Sequence, residues 1–140
     1  MTVRSAQAHW EGSLMEGQGE VEFLNSTLGS VEVDWRSRAG ETEGRTSPEE
    51  LIAAAHSACY SMALSHALAQ NGTTAESIDT KADVTFVAGE GITGIVLTVR
   101  ASVPGLTPEQ FTEFAEGAKT GCPVSKALTG TTITLDAALV

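Results

Sequence analysis

The chain contains only two cysteines, Cys59 and Cys122, and both are candidates for redox chemistry. A thiolate can attack an oxidant, and a second thiol can then close a disulfide with the oxidised sulfur. Cys122 directly precedes Pro123 at the predicted start of a short helix, where free backbone N–H groups favour a thiolate. Cys59 lies in the middle of a long apolar stretch, where burial alone favours the neutral thiol. An inert core thiol is therefore the alternative interpretation of Cys59.

A reactive Cys59 needs a cation nearby. The candidates are three arginines that precede the long helix: Arg36, Arg38 and Arg45. A buried arginine needs a carboxylate in turn, and Glu49 and Glu50 stand at the start of that helix. Glu49 lies ten residues from Cys59, a rise of about 15 Å in a straight helix, so it cannot contact the Cys59 of its own helix directly. Either a long arginine bridge or Glu49 from a second chain is required, and we favour the second chain.

The helix that carries Cys59 has clear start and stop signals. Ser47 is a natural N-cap, Pro48 fits the first turn and Glu50 completes a capping box. Asn71 and Gly72 form the stop signal, so the sequence predicts a helix over 48–70. This segment is apolar on most faces, which predicts burial on all sides. Because one domain of 140 residues has difficulty enclosing such a helix, a partner subunit would help.

The remaining segments predict an α+β fold with a mainly antiparallel sheet in a single domain over 1–140. Alternating or β-rich stretches predict strands at 19–24, 30–35, 77–87, 91–103 and 131–139, with a weaker candidate at 5–10. Residues 25–29 are predicted to form a hairpin turn between the strands at 19–24 and 30–35. Residues 38–47 are predicted to be a polar loop. A second helix is predicted from the capping box of Thr107 and Gln110 to about Gly121, followed at once by the short helix after Cys122.

Composition narrows the range of functions. The net charge of −10 argues against nucleic acid and anionic membranes as partners. We find no secretory signal and no membrane-spanning apolar stretch, so the cytoplasm is the expected location. In that compartment a catalytic disulfide is more plausible than a structural one. Two cysteines so far apart do not make a zinc site.

Several segments resemble one known family. The segment TSPEELIAAAHSACYSMAL is similar to the hallmark of the OsmC and organic hydroperoxide resistance (Ohr) family, and GCPVSKAL resembles its second hallmark. The segments QAHWEG and SIDTKADVTF are similar to the OsmC branch. The resemblance implies antiparallel sheets wrapped around a long buried central helix in an intertwined homodimer. It also implies two active sites, both at the subunit interface.

The resemblance assigns roles to residues that match the family's motifs. Cys59 matches the peroxidatic cysteine, Cys122 the resolving cysteine, and Glu49 the carboxylate that orients the active-site arginine. Arg38 fits that arginine best, with Arg36 as the alternative. The implied activity is reduction of organic hydroperoxides, and more weakly hydrogen peroxide, to alcohols through a Cys59 sulfenate and a Cys59–Cys122 disulfide. A lipoylated protein or a low-molecular-weight thiol would restore the thiols, and no metal, haem or flavin cofactor is expected.

Other interpretations stay open. His56 and His66 flank Cys59, and a Cys–His pair is a common nucleophile arrangement; a structural role is nevertheless expected for both. A non-enzymatic thiol redox sensor could use the same cysteines, and a binder of a small apolar ligand could leave them unused. Catalytic turnover of peroxide separates these two alternatives from a peroxidase.

Overall fold

The computed structural model describes all residues from 1 to 140, which form two compact units, Met1–Leu51 and Ile52–Val140. In the first unit, strands β1 (Ala6–Glu11), β2 (Gln18–Phe23) and β3 (Ser30–Val33) form an antiparallel sheet in the order β1-β2-β3. Gly29, with φ +73°, turns the chain between β2 and β3 as the predicted hairpin requires. The assignment of the whole chain to one domain stays a prediction.

A short helix, α1 (Trp35–Ala39), follows β3 where the sequence predicted strand and then loop. The strand ends at Val33 because Asp34 takes the N-cap position, and its carboxylate accepts the Ser37 N–H at 2.8 Å. A helix of five residues is too short to show a helical hydrophobic period, so α1 could not be predicted from the pattern of residues. The predicted end of the strand at Trp35 and the start of the loop at Arg38 are both wrong.

The long helix α2 spans Pro48–Gln70, as predicted. The Glu50 N–H donates to the Ser47 hydroxyl at 3.1 Å, which is one half of the predicted capping box. The other half is missing, because the Glu50 carboxylate instead accepts the Thr46 hydroxyl at 2.7 Å. Gly72, with φ +79°, follows the end of the helix in a conformation that favours glycine.

The second unit contains the rest of α2 and five further elements. These are β4 (Ser77–Val87), β5 (Gly91–Ser102), α3 (Pro108–Gly121), α4 (Pro123–Ala127) and β6 (Ile133–Leu139). The sheet order is β4-β5-β6, with β4 antiparallel and β6 parallel to β5. The α+β class with mainly antiparallel sheets is confirmed. The parallel pair, which the sequence did not predict, arises because α3 and α4 form the crossover from β5 to β6.

The core of the second unit lies between its sheet, α2 and α3. Leu97, Val99 and Ala101 alternate along the inner face of β5 and are fully buried. They belong to one apolar cluster with buried side chains of α2 and α3, including Leu64 and Phe111. This cluster extends to Cys122 and holds the junction of α3 and α4 against α2.

Helix α2 is not buried on all sides within one chain. Ala54, Ala58 and Met62 are exposed at spacings of four residues, and the Met62 side chain is 71% exposed. Positions spaced by four lie on one face of a helix, so they form a solvent-facing apolar stripe. The single chain leaves this stripe uncovered, so burial of α2 on all sides, with the help of a partner subunit, stays a prediction. No helix in the structure combines the length and apolar character needed to cross a membrane.

Replacing Leu97 with Ala is expected to lower the free energy of unfolding by about 2–5 kcal/mol, because it opens a cavity in the central strand of the sheet. Val96→Ala is the matched control on the outer face of β5, where Val96 is 43% exposed, and its cost is expected to stay below about 1 kcal/mol. Urea denaturation measures both values. Equal losses for the two variants would contradict the assignment of the core face.

Candidate active site

Cys59 and Cys122 meet in the second unit. Cys59 is partly buried in the middle of α2, Cys122 is fully buried, and both are free thiols. The two thiols are neighbours, since each acts on the pKa of the other. They lie 63 positions apart in sequence, so only the packing of α2 against the junction of α3 and α4 brings them together. Two cysteines so distant in sequence can form a disulfide only if the fold brings them together, as it does here.

Backbone hydrogen bonds of both α3 and α4 fix the position of Cys122, which lies between the two helices. Its N–H donates to the Ala118 carbonyl at 2.9 Å and ends α3, while its carbonyl accepts the Lys126 N–H at 3.0 Å and begins α4. Its ψ of 127° lies outside the helical region, so the chain bends at this residue. The sequence prediction of Cys122 at a helix start is confirmed.

The two thiols differ in their electrostatic surroundings. Burial opposes ionisation of Cys122, but hydrogen bonding from the Cys59 thiol, the Ser125 and Val124 N–H groups and the Ser125 hydroxyl outweighs it and lowers the pKa of Cys122. The Cys122 side chain makes no regular capping hydrogen bond at the start of α4. Burial raises the pKa of the Cys59 thiol, and the bond to Cys122 raises it further. Within one chain, Cys122 is therefore the more acidic thiol.

In the first unit, Arg38 of α1 binds Glu49 on the first turn of α2. The Arg38 Nε donates to Glu49 Oε1 at 3.0 Å, and an Nη of the same guanidinium lies 3.0 Å from that oxygen. Glu49 is buried, and its second oxygen, Oε2, is buried without a hydrogen-bond partner in the single chain. A charged pair with one oxygen still unsatisfied is costly to keep inside a protein, which marks it as a functional candidate.

The other two arginines are placed differently. Arg36 forms an exposed ion pair of 2.7 Å with Glu43. Arg45 lies 3.6 Å from a carboxylate oxygen of Glu32 and 3.7 Å from one of Asp34. Of the three arginines considered from the sequence, Arg38 is thus the one that contacts Glu49. Its side chain and that of Arg36 leave α1 two residues apart, which explains why spacing alone did not distinguish them.

A mainly apolar groove lies beside Arg38 in the first unit. Its volume is about 420 Å³, within the range of small-molecule sites. Its lining residues are Trp10, Leu14, Val33, Asp34, Trp35, Arg38 and Pro48. The guanidinium and the Asp34 carboxylate are the charged groups along this lining. The groove can therefore hold an apolar molecule with one polar end directed at Arg38.

A second polar contact lies near the cysteines and was not predicted. His56 of α2 and Ser125 of α4 are both buried, and His56 Nε2 lies 2.7 Å from the Ser125 hydroxyl oxygen. Burial lowers the pKa of His56, so the imidazole is neutral. His66 is exposed. The signals available in the sequence were the spacings of three residues from His56 to Cys59 and from Cys122 to Ser125, which place each pair on one helix face.

Comparison with known proteins supports one family. The family model for OsmC-like proteins matches residues 40–136. The chain is 45% identical to peroxiredoxin OsmC of Escherichia coli (strain K12) over 97% of this chain and 96% of the relative. It is 28% identical to organic hydroperoxide resistance protein-like 2 of Staphylococcus epidermidis over 68% of each chain. The crystal structure of an organic hydroperoxide resistance protein from Elizabethkingia anophelis, with 26% identity, covers 99% of both chains with a TM-score of 0.72.

The fold, the adjoining cysteines and the likeness to a peroxiredoxin over nearly the whole chain define a thiol-dependent peroxidase. The chain belongs to the OsmC-like protein family. The resemblance drawn from the motifs is thereby confirmed, as is its closer likeness to the OsmC branch.

The buried neutral His56 predicts a specific pH dependence of stability. Because burial lowers its pKa in the folded state, the unfolded chain binds the additional proton first, and stability falls as the pH drops below about 6.5. Urea denaturation at about pH 7.5 and about pH 5.5 measures this effect. Between these two pH values, the free energy of unfolding should fall less in the His56→Gln variant than in the unsubstituted protein. His66→Gln is the control, and its free energy of unfolding should fall with pH as much as that of the unsubstituted protein. An equal loss in the His56→Gln variant would contradict the buried neutral imidazole.

Proposed function

We propose that this peroxidase reduces organic hydroperoxides to alcohols in the cytoplasm, through a Cys59 sulfenate and a Cys59–Cys122 disulfide. The observation that carries the proposal is the contact between two free thiols that lie 63 positions apart in sequence. An inert core cysteine needs no such partner. The names of the relatives, a peroxiredoxin and an organic hydroperoxide resistance protein, support the same chemistry.

The proposed cycle has three balanced steps. The Cys59 thiolate attacks the terminal oxygen of the hydroperoxide, the O–O bond breaks, and the alkoxide takes a proton and leaves as the alcohol. Cys59 is then a sulfenic acid. The Cys122 sulfur attacks the Cys59 sulfur, the S–S bond forms, and the displaced hydroxide leaves as water. A dithiol, either a lipoylated protein or a low-molecular-weight thiol, reduces the disulfide by exchange.

The first step needs a Cys59 thiolate, and the surroundings within one chain oppose it. Burial raises the pKa of Cys59, so a cation must act on this sulfur in the reactive state. We assign this role to Arg38, oriented by Glu49, with both residues supplied by the partner of a homodimer. The same guanidinium would donate hydrogen bonds to the peroxide oxygen that gains charge as the O–O bond breaks.

Three features support the homodimer. The apolar stripe of Ala54, Ala58 and Met62 on α2 is exposed in the single chain, although such surface is normally covered. Glu49 Oε2 is buried without a partner and would accept a hydrogen bond supplied from another chain. Glu49 also lies ten residues before Cys59 on α2, too far along a straight helix for direct contact.

The groove beside Arg38 supports an organic substrate. Its lining of tryptophan, leucine, valine and proline side chains matches an alkyl or aryl group, and Arg38 is placed to meet a polar peroxide end. Hydrogen peroxide has no apolar part and would gain nothing from these contacts. A preference for organic hydroperoxides follows from this difference.

Cys59→Ser is expected to lower the consumption of cumene hydroperoxide by roughly 10³-fold or more, because the attacking sulfur is lost. Cys122→Ser should consume the first equivalent at the normal rate and then turn over more slowly, because the dithiol must attack the Cys59 sulfenic acid directly. The assay follows peroxide with excess dithiol, and hydrogen peroxide runs alongside as the poorer substrate. Full turnover by Cys59→Ser would refute the mechanism. One stoichiometric oxidation of the unsubstituted protein without turnover would instead favour a redox sensor, and unconsumed peroxide a binding protein.

A mixed dimer tests where the arginine comes from. Arg38→Ala alone should lower kcat/KM by roughly 10²–10³-fold, because it removes the donor to the developing charge. Co-expression of equal amounts of Arg38→Ala and Cys59→Ser chains should restore about one quarter of the activity, since half of the dimers would carry one complete site. Arg36→Ala is the matched control from the same helix and should remain active by itself. No restoration in purified mixed dimers would mean that Arg38 does not serve the partner's Cys59.

A further inference from the structure

We propose that His56 and Ser125 form a hydrogen-bonded relay that positions and activates Cys122 as the nucleophile that closes the disulfide. The inference rests on the proposed function, because it concerns the second step of that cycle. It assigns a role to two buried side chains that the peroxide-reducing step does not use. Both are positioning residues, since neither contacts the substrate in this scheme.

The relay is built from contacts between α2 and α4. His56 is 0% exposed, and its Nε2 lies 2.7 Å from the hydroxyl oxygen of Ser125, which is also buried. Ser125 stands three residues after Cys122, on the first turn of α4, and its hydroxyl and backbone N–H both act to lower the pKa of Cys122. His56 stands three residues before Cys59 on α2, so the relay begins beside one cysteine and ends on the other.

The second ring nitrogen of His56 determines the direction of these hydrogen bonds. Nδ1 is buried and has no hydrogen-bond partner. A neutral imidazole carries one N–H, and an unpaired buried N–H is rarer and costlier than an unpaired acceptor. The proton therefore belongs on Nε2, which donates to the Ser125 oxygen. The Ser125 hydroxyl proton is then free to point at the Cys122 sulfur, and both donors support a thiolate there.

Two other titratable groups face the Cys122 sulfur, and neither replaces the relay. The Cys59 thiol is consumed by the first step of the proposed cycle, when it becomes a sulfenic acid. The Tyr60 hydroxyl is committed to the Ala115 carbonyl, to which it donates at 2.9 Å. Once Cys59 is oxidised, the side-chain hydrogen bond that still supports a Cys122 thiolate is the one from Ser125.

The relay holds protons and does not transfer them. In the closing step, the Cys122 sulfur forms the S–S bond and the S–O bond of the Cys59 sulfenic acid breaks. The proton released by the Cys122 thiol leaves with the displaced hydroxide as water. His56 and Ser125 keep their protons and contribute by stabilising the thiolate and fixing the direction of the sulfur. A conservative donor in place of His56 should therefore preserve the effect.

The test measures the ionisation of Cys122 without any peroxide. In the full-length Cys59→Ser protein, the ultraviolet absorbance of the thiolate is followed against pH. Adding Ser125→Ala should raise the Cys122 pKa by about one unit, because a buried thiolate loses its hydroxyl donor. His56→Leu should raise it in the same direction, and His56→Gln, which keeps an N–H donor, should stay closer to the unsubstituted value.

The second readout is the rate of disulfide closure after one equivalent of cumene hydroperoxide, in proteins with both cysteines. A rise of about one pKa unit lowers the thiolate fraction about tenfold but makes the thiolate more nucleophilic, so closure at neutral pH should slow about threefold. Ser61→Ala is the matched control, because it removes a partly buried α2 hydroxyl that bonds Thr80 instead. It should leave closure unchanged.

The titration of Cys122 tests the relay independently of the proposed peroxidase activity. Unchanged Cys122 titration in Ser125→Ala and His56→Leu would overturn the proposal, and so would His56→Gln behaving like His56→Leu. If His56→Leu does not fold, Ser125→Ala and His56→Gln still decide between the outcomes. Failure of the proposed function would show as absent turnover in the unsubstituted protein, whereas the titration of Cys122 requires no turnover.

Discussion

The structure depends on keeping a negatively charged sulfur stable among apolar side chains. Burial protects a thiol from water and stray oxidants, but it also favours the neutral form that does not react. Both cysteines face this constraint, since Cys122 is fully buried in the core cluster and Cys59 packs against it. Two different solutions follow, one for each sulfur.

Cys122 is stabilised by neutral donors. The change from α3 to α4 leaves backbone N–H groups directed at its sulfur, and Ser125 adds a hydroxyl from the first turn of α4. These groups lower the pKa of Cys122 without placing a cation in the core. Burying such an ion carries a large desolvation cost. Cys59 lies in the middle of α2, where the N–H groups of its own helix are used within the helix, and the Val124 N–H lowers its pKa too little to outweigh burial. In the proposed dimer, Arg38, oriented by the Glu49 carboxylate, would supply the favourable charge instead.

The sequence predicted well those features that depend on local patterns. The bounds of α2, the capping box of α3 and the hairpin after β2 follow from cap residues, periodicity and a turn glycine, and the structure confirms them. It failed where packing or a very short element decides, as with α1 and the parallel pairing of β6. The pairing of Arg38 rather than Arg36 with Glu49 depends on how α1 directs two nearby side chains, and the His56–Ser125 contact joins residues 69 positions apart. No local pattern carries such information.

The order of acidity within one chain argues that assembly completes the proposed site. The proposed cycle needs a Cys59 thiolate first and a Cys122 thiolate second, yet in the isolated chain Cys122 is the more acidic thiol. Contact with a cation from a partner chain would reverse this order for the first step, because a nearby positive charge favours the thiolate. Oxidation of Cys59 to the neutral sulfenic acid would then remove its negative charge, so this charge would no longer oppose ionisation of Cys122 in the second step. A site shared between two chains would thus activate each sulfur at the step that requires it, whereas a single chain would hold the two thiols in the wrong order.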